Sequence, residues 1–87
     1  MPKYQILRVT VLAPRSSWKT PAYGELWKAS EDSETWLLGC PACGLVAFLR
    51  HDVKLVDGRP TITPSVVCPD PGCGAHYFVV NGEVQPC

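Results

Sequence analysis

No stretch of this 87-residue sequence approaches 18 consecutive apolar residues, so no membrane-spanning helix is expected. Nor is there an excess of either charge. Eight Lys and Arg face eight Asp and Glu, which argues against a strongly basic nucleic-acid binder. Histidine is scarce, with only His51 and His76. Carboxylates are not closely paired, and no serine stands out as activated, so no catalytic set is visible. From this the chain is expected not to be an enzyme. No long apolar segment follows Met1-Pro2-Lys3-Tyr4, so a secretory signal is not expected and a cytoplasmic location is. At this length one domain, 1–87, is the upper limit. Nine prolines and seven glycines favour turns and short strands over long helices.

What the sequence does have is cysteine: Cys40, Cys43, Cys68, Cys73 and Cys87. An odd number fits poorly with a closed disulfide framework. In a reducing compartment thiols are kept for metals or chemistry. Four of the five form two related loops, Cys40-Pro41-Ala42-Cys43-Gly44 and Cys68-Pro69-Asp70-Pro71-Gly72-Cys73-Gly74. Each begins Cys-Pro and ends Cys-Gly. Proline fixes φ after the first cysteine. Glycine after the second permits a positive φ, which turns backbone N–H groups toward the sulfurs. Two such loops facing one another make a closed site of four thiolates for one structural zinc ion. The spacing is C-x2-C-x24-C-x4-C, regular in the first loop and two residues long in the second. The expected ligands are Cys40, Cys43, Cys68 and Cys73. His76, three residues after Cys73, remains an alternative ligand in place of Cys68 or Cys73. Cys87 is the last residue and has no assigned role. His51, between Arg50 and Asp52, is expected to be a surface residue.

Along the chain, Tyr4 to Leu12 predicts a strand, with Arg8 and Thr10 on one face and Leu7, Val9 and Val11 on the other. Residues 13–22 predict a loop, with Trp18 as an apolar anchor inside it. Ala22 to Ser30 is ambiguous between a helical turn and a short strand. Glu31 to Glu34 is a polar turn. Thr35–Leu38 and Leu45–Leu49 then predict strands entering and leaving the first cysteine loop. Val53–Val56 continues the second of these after a break, and Asp57-Gly58 signals a hairpin. Thr61–Val67 returns toward Cys68, with Pro64 marking an edge or a bulge. His76–Val80, the Asn81-Gly82 turn and Glu83–Gln85 predict a final hairpin. The result is a small, mostly β chain: an N-terminal strand-bearing extension, 1–34, packed on a metal-stapled unit, 35–87. Trp18, Trp27 and Trp36 enlarge a core too small to hold alone.

Residues 35–85, with their paired Cys-Pro…Cys-Gly loops flanked by strands, resemble the zinc-ribbon superfamily with rubredoxin-like knuckles. A narrower likeness lies in Pro60-Thr61-Ile62-Thr63-Pro64-Ser65-Val66, followed by Cys68, Cys73, His76, Phe78-Val79 and Asn81-Gly82. This string, about 30 residues with its spacers, is similar to the C-terminal part of small zinc-ribbon proteins of bacteria and their phages. The resemblance implies a cytoplasmic accessory protein, phage-borne in some cases and then acting in the host cytoplasm. In such relatives the last ligand can be histidine, which keeps His76 open.

Three functions follow as expectations. The first is a protein-interaction or regulatory module binding a host factor, with Trp18, Tyr23 and Trp27 as interface aromatics if they are exposed. The second is nucleic-acid binding through Lys3, Arg8, Arg15 and Lys19, a weaker reading because Glu25, Glu31, Asp32 and Glu34 follow. The third is a rubredoxin-like iron or redox protein, since paired Cys-x-x-Cys-Gly loops also resemble rubredoxin; a redox dithiol at Cys40-Pro41-Ala42-Cys43 is disfavoured because strands rather than a helix flank it. No membrane partner is expected.

Overall fold

The computed structural model describes residues 3–87; Met1 and Pro2, part of the segment read for a secretory signal, lie outside the described residues. The described residues form eight strands and no helix, so no helix is long and apolar enough to cross a membrane. The first sheet has the order β1 (Thr10–Val11), β2 (Glu25–Lys28), β3 (Trp36–Gly39), β4 (Val46–Leu49). Strand β1 runs parallel to β2 and the other pairs are antiparallel. The second sheet is an antiparallel meander of β5 (Asp52–Val56), β6 (Arg59–Val67), β7 (His76–Val80) and β8 (Glu83–Pro86).

Two tight hairpins set the register of the second sheet. Asp57 and Asn81 both take a positive φ, 54° and 51°, and each is followed by glycine. That conformation matches the twist of paired strands and suits Asp-Gly and Asn-Gly. Pro64 falls in the register shift between Ile62 and Val66. Strand β6 lies between β5 and β7, so of the two readings of Pro64 the bulge holds and the edge does not. At a bulge the missing proline N–H costs no ladder bond.

The main core fills the space between the sheets. Leu26 and Leu38 from the first meet Ile62, Val66, Tyr77, Val79 and Val84 from the second, with Val9 between them. A second, smaller core lies on the other face of the first sheet, where Trp27, Leu37 and Ala22 are buried with Leu12, Ala29 and Val46 against them. Trp18, in the loop before β2, stacks 6.4 Å from Trp27 across this face. Both sides of β2 and β3 are thus covered. This explains why Ala22–Ser30 shows no clean alternation and settles that region as a strand.

The N-terminal segment corrects its sequence reading. Only Thr10–Val11 is strand, because Tyr4–Leu12 divides its pairing between the sheets. Leu7 and Val9 exchange hydrogen bonds with Val84 and Gly82 of the second sheet, while Thr10 and Leu12 bond Gly24 and Leu26 of the first. Val9 is buried but Leu7 is 56% exposed, so the expected apolar face of this segment is incomplete. Strand β5, expected to continue β4, instead begins the second sheet.

Candidate functional site

Each sheet sends one cysteine loop to the same end of the molecule. Cys40-Pro41-Ala42-Cys43 joins β3 to β4, and Cys68 to Cys73 joins β6 to β7. The sulfurs of Cys40, Cys43, Cys68 and Cys73 all lie within 4.8 Å of one another. Two pairs cross between the loops at hydrogen-bond distance, Cys40 to Cys73 at 3.8 Å and Cys43 to Cys68 at 3.6 Å. Four sulfurs held about 2.3 Å from one tetrahedral ion would stand about 3.8 Å apart, so the donor set fits zinc. Cys87 is exposed and outside the cluster.

The loops have the knuckle geometry expected of Cys-Gly endings. Gly44 and Gly74 have φ of 81° and 67°. The Ala42 N–H donates to Cys40 Sγ at 3.4 Å. A Cβ on Gly44 would run into Pro21 of the N-terminal segment, so that glycine also lets the first knuckle seat against the rest of the chain. Burial pushes the Cys68 thiol well up and neighbouring sulfurs add to this, against an opposing N–H from Asp70. Cys43 is also raised, mainly by burial. At Cys40 burial acts the same way, but the N–H groups of Cys43 and Ala42 and the adjacent sulfurs outweigh it and lower the thiol. Crowded sulfurs of this kind resist joint ionisation without a cation among them.

His76 is not in the cluster. Its Nε2 lies 2.8 Å from Ser65 Oγ. The sheet explains the pairing. Val67 is directly opposite His76, so Ser65, two residues earlier on β6, projects from the same face and sits diagonally across from the imidazole. The two residues bracket the second cysteine loop: Ser65 is three residues before Cys68, and His76 three after Cys73. Other contacts hold the pair in place. The His76 carbonyl accepts from the Tyr4 hydroxyl at 3.2 Å and from the Cys87 N–H at 2.9 Å. Tyr4 in turn packs edge-on against Tyr77, with ring centres 6.0 Å apart. His51 Nε2 lies 2.9 Å from the Ser65 carbonyl oxygen. His51 is half-buried, and its Nδ1 is buried without a partner. Among the described residues no carboxylate hydrogen-bonds to His76.

A serine hydroxyl on a histidine nitrogen is the pairing that makes a nucleophile from a weak alcohol. Residues 13–87 match the family model described as BubE, bacterial ubiquitination-like system serine protease. The chain belongs to the BubE family. No curated protein and no solved structure matches it.

Membership of BubE corrects the expectation that the chain is not an enzyme, since the family is described as a serine protease. The contact that the sequence did not show is that of Ser65 with His76. Ser65 stands in Pro60-Thr61-Ile62-Thr63-Pro64-Ser65-Val66, the string that carried the narrower likeness, yet nothing local marks it as activated. Its partner is 11 residues away and is brought to it only by the β6–β7 hairpin.

Proposed function

We propose that this BubE chain is a serine peptidase in which Ser65 is the nucleophile and His76 the general base, steadied by one structural zinc on Cys40, Cys43, Cys68 and Cys73. The observation that carries the reading is the 2.8 Å contact between Ser65 Oγ and His76 Nε2 in a member of a family described as serine proteases. With its proton on Nδ1, His76 offers Nε2 as acceptor for the Ser65 O–H. As Ser65 Oγ attacks a peptide carbonyl, its proton passes to Nε2. The imidazolium then returns a proton to the leaving amine as the C–N bond breaks, leaving an acyl ester on Ser65. Water, deprotonated by the same nitrogen, hydrolyses the ester and restores the pair. His51 holds the Ser65 carbonyl and acts as a positioning residue.

Zinc in a four-sulfur site has no open position for water, so it would supply stability and geometry. Because Cys68 directly follows β6 and Cys73 lies three residues before β7, closing the knuckle ties together the strands that carry Ser65 and His76. The protein partner expected from the sequence is, in this reading, the substrate, and the system named in the family description supplies its setting. The test is labelling with a fluorophosphonate, located by mass spectrometry. Modification at Ser65 that is lost in His76→Ala supports the reading. An unlabelled Ser65 in folded, metal-loaded protein overturns it.

A further inference from the structure

Ser65 and His76 share the open face of the second sheet with apolar neighbours. On β7 burial alternates: Tyr77 and Val79 are inside, and His76, Phe78 and Val80 are outside. On β6, Val67 pairs with His76 and Val66 with Tyr77. One step further, where the ladder gives way to the bulge, Ser65 comes level with Phe78. Four side chains thus form a square, Ser65 and Val67 on β6, Phe78 and His76 on β7. One diagonal is the 2.8 Å contact of Ser65 with His76. The other holds Val67, 60% exposed, and Phe78, 46% exposed. Same-face neighbours along a strand stand about 7 Å apart, so a residue bound at the polar pair is within reach of both apolar corners.

Charge begins one position further out. Gln85, across from Phe78 on β8, is uncharged. Beyond it Glu83 pairs with Val80, and on the edge strand β5 Asp52 pairs with Thr63. Peptide attack assigns the corners of the square. Ser65 Oγ bonds the carbonyl carbon, and His76 gives its proton to the leaving amine. The residue that supplies the carbonyl therefore lies on the Ser65 side, level with Phe78. The residue that supplies the amine lies on the His76 side, level with Val67.

We infer that this site takes peptide bonds that follow an apolar residue, and that Phe78 is the specificity-determining residue that receives its side chain. This rests on the peptidase reading above. A leucine or phenylalanine side chain laid on Phe78 withdraws apolar surface of both from water. A charged side chain in the same place loses hydration and meets no partner inside the square.

The test uses the full, metal-loaded chain and p-nitrophenyl esters of N-acetylated phenylalanine, leucine, glycine, aspartate and lysine. The leaving group is the same in every ester, so the rates compare the acyl side alone. Hydrolysis by Ser65→Ala is subtracted as background. The phenylalanine and leucine esters should have kcat/KM at least about tenfold above the other three. Phe78→Ser should bring the phenylalanine-to-glycine ratio close to one, and Phe78→Leu should keep most of it. Val80→Ser, further along the same face, should leave the ratio as it is. Each ratio is taken within one protein, so a general loss of folding or activity cancels. Equal rates for all esters, no hydrolysis above background, or a ratio unmoved in Phe78→Ser, with Ser65 labelled normally by fluorophosphonate, overturns the role of Phe78 and leaves the Ser65–His76 reading standing. A preference for the lysine ester, which Glu83 and Asp52 would then explain, overturns it as well. Absence of labelling at Ser65 in the unaltered protein removes the peptidase reading, and this inference falls with it.

Discussion

The two sheets have the same number of strands and solve burial in opposite ways. The first is covered on both faces: Leu26 and Leu38 face the main core, while Trp27 and Leu37 face the smaller core. The second is covered on one face only. Tyr77 and Val79 are buried, while His76, Phe78 and Val80 on the same strand are exposed. The difference divides the labour. A sheet packed on both sides is a rigid base from which one cysteine loop projects. A sheet with one open face leaves the Ser65–His76 contact at the surface without disturbing its core. The outer face of the first sheet also explains an arginine in an apolar setting. Arg15 lies 4.2 Å from the centre of the Trp27 ring, and its Nη2 is 3.5 Å from Glu25 Oε1.

The comparison is most strongly tested where the sheets meet. Exhaustive chelation of the reduced protein should separate them, with a stability loss on the order of 10 kcal/mol at neutral pH. Circular dichroism and zinc content should fall together, and so should cleavage. Retention of the fold without metal would show that the apolar core alone joins the sheets. Next in size, Ser65→Ala should lower peptide cleavage at least about 1000-fold while leaving zinc content and melting behaviour unchanged. A large stability loss instead would mark Ser65 as part of the framework.

Smaller effects probe the two outer faces. Trp27→Ala removes a fully buried ring from the first sheet and should cost about 3–5 kcal/mol in denaturant unfolding. Phe78→Ser, at a position 46% exposed on the open face of the second sheet, should change stability by about 0.5 kcal/mol or less. Similar losses for both would mean that the second sheet's outer face is also covered in solution.

The second sheet was readable because its pattern is local. His76–Val80 alternates with period two, and Asp57-Gly58 and Asn81-Gly82 close hairpins at the expected places. The first sheet was harder. With both faces covered, Glu25–Lys28 carries no period. The Tyr4–Leu12 segment was over-read because its residues suit a strand but its partners lie in two different sheets. The four-cysteine cluster was legible from repeated Cys-Pro…Cys-Gly loops, since each loop folds by its own proline and glycine. His51 is outside the cysteine cluster, as expected of a residue that is not a ligand, but it is half-buried because its Nε2 meets the Ser65 carbonyl, 14 residues away on β6.

By itself the sequence determined the pieces whose conformation depends on near neighbours: the two cysteine knuckles, the two tight hairpins and the alternating strands of the second sheet. Only the tertiary structure decided that the knuckles converge, that Trp27 is buried under Trp18 while Phe78 is left open, and that Ser65 meets His76. The reason is that a turn is set by the φ and ψ preferences of a few adjacent residues. A hydroxyl placed 2.8 Å from an imidazole depends instead on the register of two strands, and that register is fixed by the core beneath them and by the loop that joins their ends.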